Sequence, residues 1–266
     1  MKEIIFSGVA EKTTIEEKYN QLRENLQIVI LKIIFDKNYF KNIVFIGGTA
    51  LKIIYGLNRF SEDLDFSLEN NNNFNFKQLI TDIKVYFDKI GINCGFKKGG
   101  KGPVLNTFLR FPDLLYTAGI SRLKTQNLNI KIEIDTKPPK GGEKEISLIN
   151  QFYIFQVVHY NLSSLFAGKL HAILFRKYNK ARDFYDLLWY LTKKVEPNYV
   201  LLNNAVMQTQ KKDLKVDKER LKTLLINKIN NIDMSLIQKD ISKFIINQEE
   251  INLITKENFL NLIEKL

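Results

Sequence analysis

Residues 129–135, Asn-Ile-Lys-Ile-Glu-Ile-Asp, alternate strictly between isoleucine and polar side chains after Asn129. Successive side chains of a strand point to opposite faces, so Ile130, Ile132 and Ile134 form one face and Lys131, Glu133 and Asp135 the other. The isoleucines need a core, so this segment belongs to a sheet packed on one side. Other strand signals accompany it. Ile43-Val44-Phe45-Ile46 is an apolar, β-branched run stopped by Gly47-Gly48 and followed by a helical pattern over 50–55. Asp63-Leu64-Asp65-Phe66-Ser67-Leu68 alternates polar and apolar, and 92–135 reads mainly as strand, broken by the basic loop 97–102 and by Pro112.

Helical patterns frame these strands. Residues 14–38 carry apolar side chains at helical spacing, with Thr14 and Glu17 as a capping box. An Asn-rich loop at 70–75 leads to an amphipathic helix over 76–90, stopped by Gly91. Pro138-Pro139 and the glycines after them break the sheet, and from 150 onward the pattern is largely helical, at 163–177, 180–194, 198–209, 217–230, 234–246 and 256–265. The expectation is an α+β chain, with an N-terminal α/β domain over 1–145. A helical C-terminal domain follows over 146–266.

Composition narrows the chemistry. With 266 residues, 45% of them hydrophobic, a substantial core is available. One cysteine, Cys94, excludes a disulfide framework and a thiolate zinc cluster, and two histidines, His159 and His171, leave little scope for a histidine metal site. No apolar run approaches the ~18 residues of a membrane span, and the N-terminus lacks a secretory signal, so a cytoplasmic protein without membrane contact is expected. Forty Lys+Arg against 29 Asp+Glu give a formal charge of +11, which favours an anionic partner.

Three features of the first half fit one mechanism. The strand-to-helix turn at Gly47-Gly48-Thr49 lets backbone approach a ligand and offers helix N-terminal N–H groups to an anion. Asp63 and Asp65 emerge side by side from one strand face, and like charges so close call for a cation. Hard oxygen donors with little His or Cys point to Mg²⁺, and either Glu133 or Asp135 completes a three-acid site. In the helical half, Lys169 and Arg176 share a helix face, as do Asp183 and Asp186. The mixed-sign run at 211–222 reads as a solvated helix face, and Trp189 with its aromatic neighbours reads as core packing.

The residues Gly47-Gly48-Thr49-Ala50-Leu51, Tyr55-Gly56 and Arg59-Phe60-Ser61-Glu62-Asp63-Leu64-Asp65-Phe66 resemble motif I of the AbiEii/AbiGii-type nucleotidyltransferase toxins. Lys131-Ile132-Glu133 resembles the second motif, the stretch 163–173 around Lys169 the third, and Ala181-Arg182-Asp183-Phe184-Tyr185-Asp186-Leu187 the fourth. The resemblance implies a polymerase-beta-like nucleotidyltransferase fold with a mixed sheet and flanking helices, the helical C-terminal domain contributing to the active site. It implies Asp63 and Asp65 bridging one or two Mg²⁺ ions, with Glu133 or Asp135 as third ligand or Glu133 as base. Gly47, Gly48, Thr49, Ser61, Lys131, Lys169 and Asp186 would bind the nucleotide, and Lys169 and Asp183 would join the catalytic set. It further implies a toxin restrained by a cognate antitoxin, using an NTP and an RNA acceptor, the tRNA 3′ end. Two rivals stand beside it: transfer to a protein or to a small molecule such as an antibiotic, and a non-catalytic RNA-binding or antitoxin-binding module. Intact Asp63, Asp65 and Lys169 argue against the second.

Overall fold

The computed structural model describes residues 2–99 and 102–266, at Lys98 the backbone alone. Gly100 and Lys101 of the basic loop lie outside the described residues. The chain divides into two compact units: one from Met1–Thr49, Ser61–Lys137 and Ile146–His159, the other from Ala50–Phe60, Pro138–Glu145 and Tyr160–Leu266. Where the sequence suggests a single break after 145, the chain passes between the units at 49/50, 60/61, 137/138, 145/146 and 159/160.

The first half contributes α1 (Lys2–Phe6), α2 (Ile15–Asp36), β1 (Ile43–Ile46), α3 (Gly47–Tyr55), β2 (Leu64–Leu68) and α4 (Phe76–Lys89). Next come β3 (Gly95–Lys98), β4 (Val104–Phe111), α5 (Leu114–Thr117), β5 (Leu128–Asp135), β6 (Lys144–Asn150) and β7 (Ile154–Tyr160). The seven strands form one mixed sheet in the order β3-β4-β5-β2-β1-β7-β6. β2 runs antiparallel to β1 and parallel to β5, and β1 runs parallel to β7. Ile130, Ile132 and Ile134 are fully buried, each contributing about 2 kcal/mol of apolar burial. Phe45 and Phe66 pack across β1 and β2 with ring centroids 5.4 Å apart. Helix α2 begins with the expected capping box: Thr14 accepts from the Glu17 N–H, and Glu17 accepts from the Thr14 N–H at 2.9 Å.

The second unit is mainly helical, with α6 (Leu162–Phe175), α7 (Ala181–Thr192), α8 (Tyr199–Gln210), α9 (Lys218–Asn230), α10 (Met234–Ile241) and α11 (Lys256–Glu264). Phe166 on α6 stacks on Tyr190 of α7, centroids 4.2 Å apart, and Phe184 packs against Phe259. Among the described residues, no helix is long and apolar enough to cross a membrane.

Two sequence expectations need correction. The sheet does not end at the prolines, because β6 and β7 return to it before the helices begin. Phe155 and Val157, buried between more exposed neighbours, form the inward face of β7. Helix α10 stops at Ile241 rather than running to 246. Beyond it the Phe60 N–H donates to the Phe244 carbonyl at 2.7 Å, and Arg59 forms a β-bridge with Ile245. Tertiary pairing overrides helix propensity there.

Candidate active site

The acids of the first unit are set by strand register. β2 and β5 are parallel neighbours, with Asp65 directly opposite Glu133 and Ser67 opposite Asp135. Paired residues on adjacent strands face the same way, so Asp65 and Glu133 stand side by side on the face that opposes the isoleucine core. Asp135 lies one step further along, and its Oδ1 accepts from the Lys137 N–H at 2.9 Å. Lys131, on the same face of β5, places Nζ 2.7 Å from Glu133 Oε1, and both side chains are about a quarter exposed. Burial works to lower the Lys131 pKa. The hydrogen bond and charge of Glu133, followed by the charges of Asp63 and Asp65, overcome that and raise it. One ammonium therefore answers to all three acids.

The glycine turn abuts this pair. Asp65 is also the partner of Ile46 on β1, and the next residue, Gly47, begins α3 with φ +79°. A Cβ on Gly47 would stand 3.0 Å from Asp65 Cβ and 3.1 Å from its Cγ, so the Asp65 side chain occupies the space that only glycine leaves. Thr49 is fully buried, with its hydroxyl bonded to Ser61 Oγ at 2.8 Å and to the Asp63 carbonyl. A hydroxyl has one proton to give and a carbonyl can only accept, so Thr49 donates to Asp63 and receives from Ser61. Gln27, buried on α2, donates to the carbonyls of Ser61 (3.2 Å) and Glu62 (3.0 Å), and Arg23 one turn earlier reaches the Glu62 carboxylate at 3.3 Å. The approach to Asp63 is thus held from two sides, by Thr49 and by α2.

The second unit gathers the residues of the later motifs. Lys169 on α6 reaches Asp183 Oδ1 at 2.6 Å and Asp186 Oδ2 at 2.8 Å. Arg176, at the end of α6, reaches Asp183 Oδ2 at 3.0 Å, so the two cations that share a face in the sequence meet one aspartate. Arg59 grips Asp186 through Nε (2.5 Å) and Nη2 (2.7 Å), with both residues buried. Burial alone would raise the Asp186 carboxyl, but Arg59 and Lys169 hold it below the usual carboxylate range. Burial likewise opposes the Lys169 charge, which Asp186 and Asp183 restore, raising its pKa.

A family model described as the nucleotidyl transferase AbiEii toxin of Type IV toxin–antitoxin systems matches residues 29–259. The chain belongs to this family. It is a nucleotidyltransferase, and the AbiEii family supplies the toxin of a toxin–antitoxin pair. The fold is similar to that of a candidate nucleotidyltransferase from Helicobacter pylori, at 21% identity and a TM-score of 0.56, covering 92% of this chain and 94% of that one. It is also similar to JHP933 from Helicobacter pylori, at 20% identity and a TM-score of 0.52, covering 93% of each. No curated protein matches the chain.

For an AbiEii nucleotidyltransferase, the question is whether these residues suit a divalent ion. The donors are hard carboxylate oxygens on one sheet face, and a cation, the Lys131 ammonium, already answers to their joint charge. The donor type, though not the placement of three donors, suits a divalent ion. Among the described residues, no three acidic, His or Cys side chains stand placed to hold a metal, and Glu133 is committed to Lys131. Sequence reading gave no role to Arg59, Arg23 or Gln27. The last two had a weak signal: Asn20, Arg23 and Gln27 recur at helical spacing along 14–38 and so share one face. Arg59 stands in the segment that resembles motif I, but nothing local points to its partner, which lies 127 positions away.

Proposed function

We propose that this protein transfers a nucleoside monophosphate from an NTP to an acceptor hydroxyl on RNA, the tRNA 3′ end, and is restrained by a cognate antitoxin. The acceptor oxygen attacks the α-phosphorus, the bond to the β-phosphate oxygen breaks, and pyrophosphate leaves. Asp63 and Asp65 would hold one or two Mg²⁺ ions, with Glu133 completing the set or taking the hydroxyl proton. Bound there, the metal would stabilise the negative charge of the attacking and leaving oxygens. Glu133 is favoured over Asp135 because it stands opposite Asp65, whereas Asp135 is turned to the Lys137 N–H.

Gly47 and Gly48 offer backbone N–H groups at the start of α3 to phosphate oxygens. Thr49 and Ser61 serve by fixing the Asp63 carbonyl, their hydroxyls being bonded to each other. In the second unit, Arg59, Lys169 and Arg176 outnumber Asp183 and Asp186 by one charge, an excess suited to an anionic ligand. The observation that carries this reading is the register that sets Asp65 beside Glu133 and against Gly47. Expression in cells tests it: wild type should arrest growth and Asp65→Ala should not. Equal arrest by both would refute a catalytic toxin.

A further inference from the structure

Lys131 is ion-paired with one of the acids proposed for the metal. Its Nζ is 2.7 Å from Glu133 Oε1 and 5.7 Å from the centre of the Phe108 ring, which lies opposite it on β4. Asp65 stands opposite Glu133, and Asp63 directly precedes β2. Clustered carboxylates repel one another unless a cation lies among them, and this sheet face supplies that cation from its own strand.

We propose that Lys131 is a built-in stand-in for the divalent ion: its ammonium holds Glu133 in the metal-free protein, and a metal gains Glu133 only by displacing it. The inference rests on the reading that Asp63, Asp65 and Glu133 form the metal site. Its consequence is weak metal binding before nucleotide arrives, because the ion must compete with a tethered cation for one ligand and bear its repulsion for the others. Displaced from Glu133, the ammonium becomes available to a phosphate oxygen. Lys131 is thus a positioning residue that exchanges partners, not a fixed nucleotide contact.

Mn²⁺ binding without nucleotide, read from the signal of free Mn²⁺ by electron paramagnetic resonance, tests this on the full chain. Lys131→Met should bind Mn²⁺ about ten-fold more tightly than wild type, the scale expected for removing one charge roughly 5 Å from a dication in a solvated site. Lys131→Arg, which keeps the charge, should bind like wild type and guards against a folding artefact. The decisive comparison is made in a Glu133→Gln background. If Lys131 acts by holding Glu133, most of the gain from Lys131→Met disappears there. A gain of equal size in both backgrounds would overturn the proposal in favour of simple repulsion, and no gain at all would overturn it outright. Asp63→Asn/Asp65→Asn separates the two levels: Mn²⁺ binding unchanged by that pair would sink the metal site itself. Binding lost in that pair but untouched by Lys131→Met would sink only the stand-in.

Discussion

Gly47 meets two demands at once: a left-handed backbone at φ +79°, and the absence of a Cβ where the Asp65 side chain passes. A non-glycine residue there costs about 1–2 kcal/mol in backbone strain alone. Gly47→Ala should therefore lower unfolding stability in urea by at least about that much and reduce transferase activity further, because Asp65 must move aside. An alanine variant with wild-type stability and activity would show that Asp65 has no fixed place against the turn. Tyr190 gives the opposite kind of test. Its ring is buried against Phe166, and among the described residues its hydroxyl has no hydrogen-bond partner. A buried, unsatisfied hydroxyl costs about 1–3 kcal/mol, so Tyr190→Phe should raise stability by about 1 kcal/mol in thermal or urea unfolding. A loss of stability would mean that the hydroxyl does find a partner.

At the scale of elements, the junction of α6 and α7 depends on charge. Asp186 is fully buried between Arg59 and Lys169, and its folded-state pKa lies below the unfolded value. A carboxylate so depressed stabilises the fold fully above the ordinary aspartate range near ~3.9 and loses that contribution as pH falls through the lower folded value. Asp186→Asn should cost about 3–5 kcal/mol near neutral pH, since it leaves buried cations uncompensated, and should flatten the acid limb of stability against pH. An unchanged acid limb would assign acid unfolding to other groups.

Much of the architecture at this scale was legible in the sequence. Alternation at 129–135 marked β5, Thr14 and Glu17 marked the start of α2, and the Gly-Gly turn marked the junction of β1 and α3. What escaped was set by distant partners. The end of α10 depends on strand-like pairing of 244–245 with 59–60, and the placement of Arg59 depends on Asp186. No local pattern encodes such pairings. β7 carries a short alternation of buried and exposed residues, but it borders a long helical stretch whose pattern dominates the sequence there.

At the scale of the whole molecule, the linear order of motifs is readable while the two units are not, because each is assembled from three separated segments. Asp65 and Glu133 come together in the first unit, and Lys169, Asp183 and Asp186 in the second. The charge of +11 suits a polyanionic acceptor, and phosphate contacts make such binding steeply salt-dependent. Purified protein incubated with Mg²⁺, each of the four α-labelled NTPs in turn, and total RNA or protein extract gives the most direct test, with an Asp63→Ala/Asp65→Ala variant alongside. Label should enter tRNA-sized RNA with wild type alone. Label in protein would retain the transferase and overturn the RNA acceptor, and equal label from wild type and the double variant would contradict the assignment of these acids to catalysis.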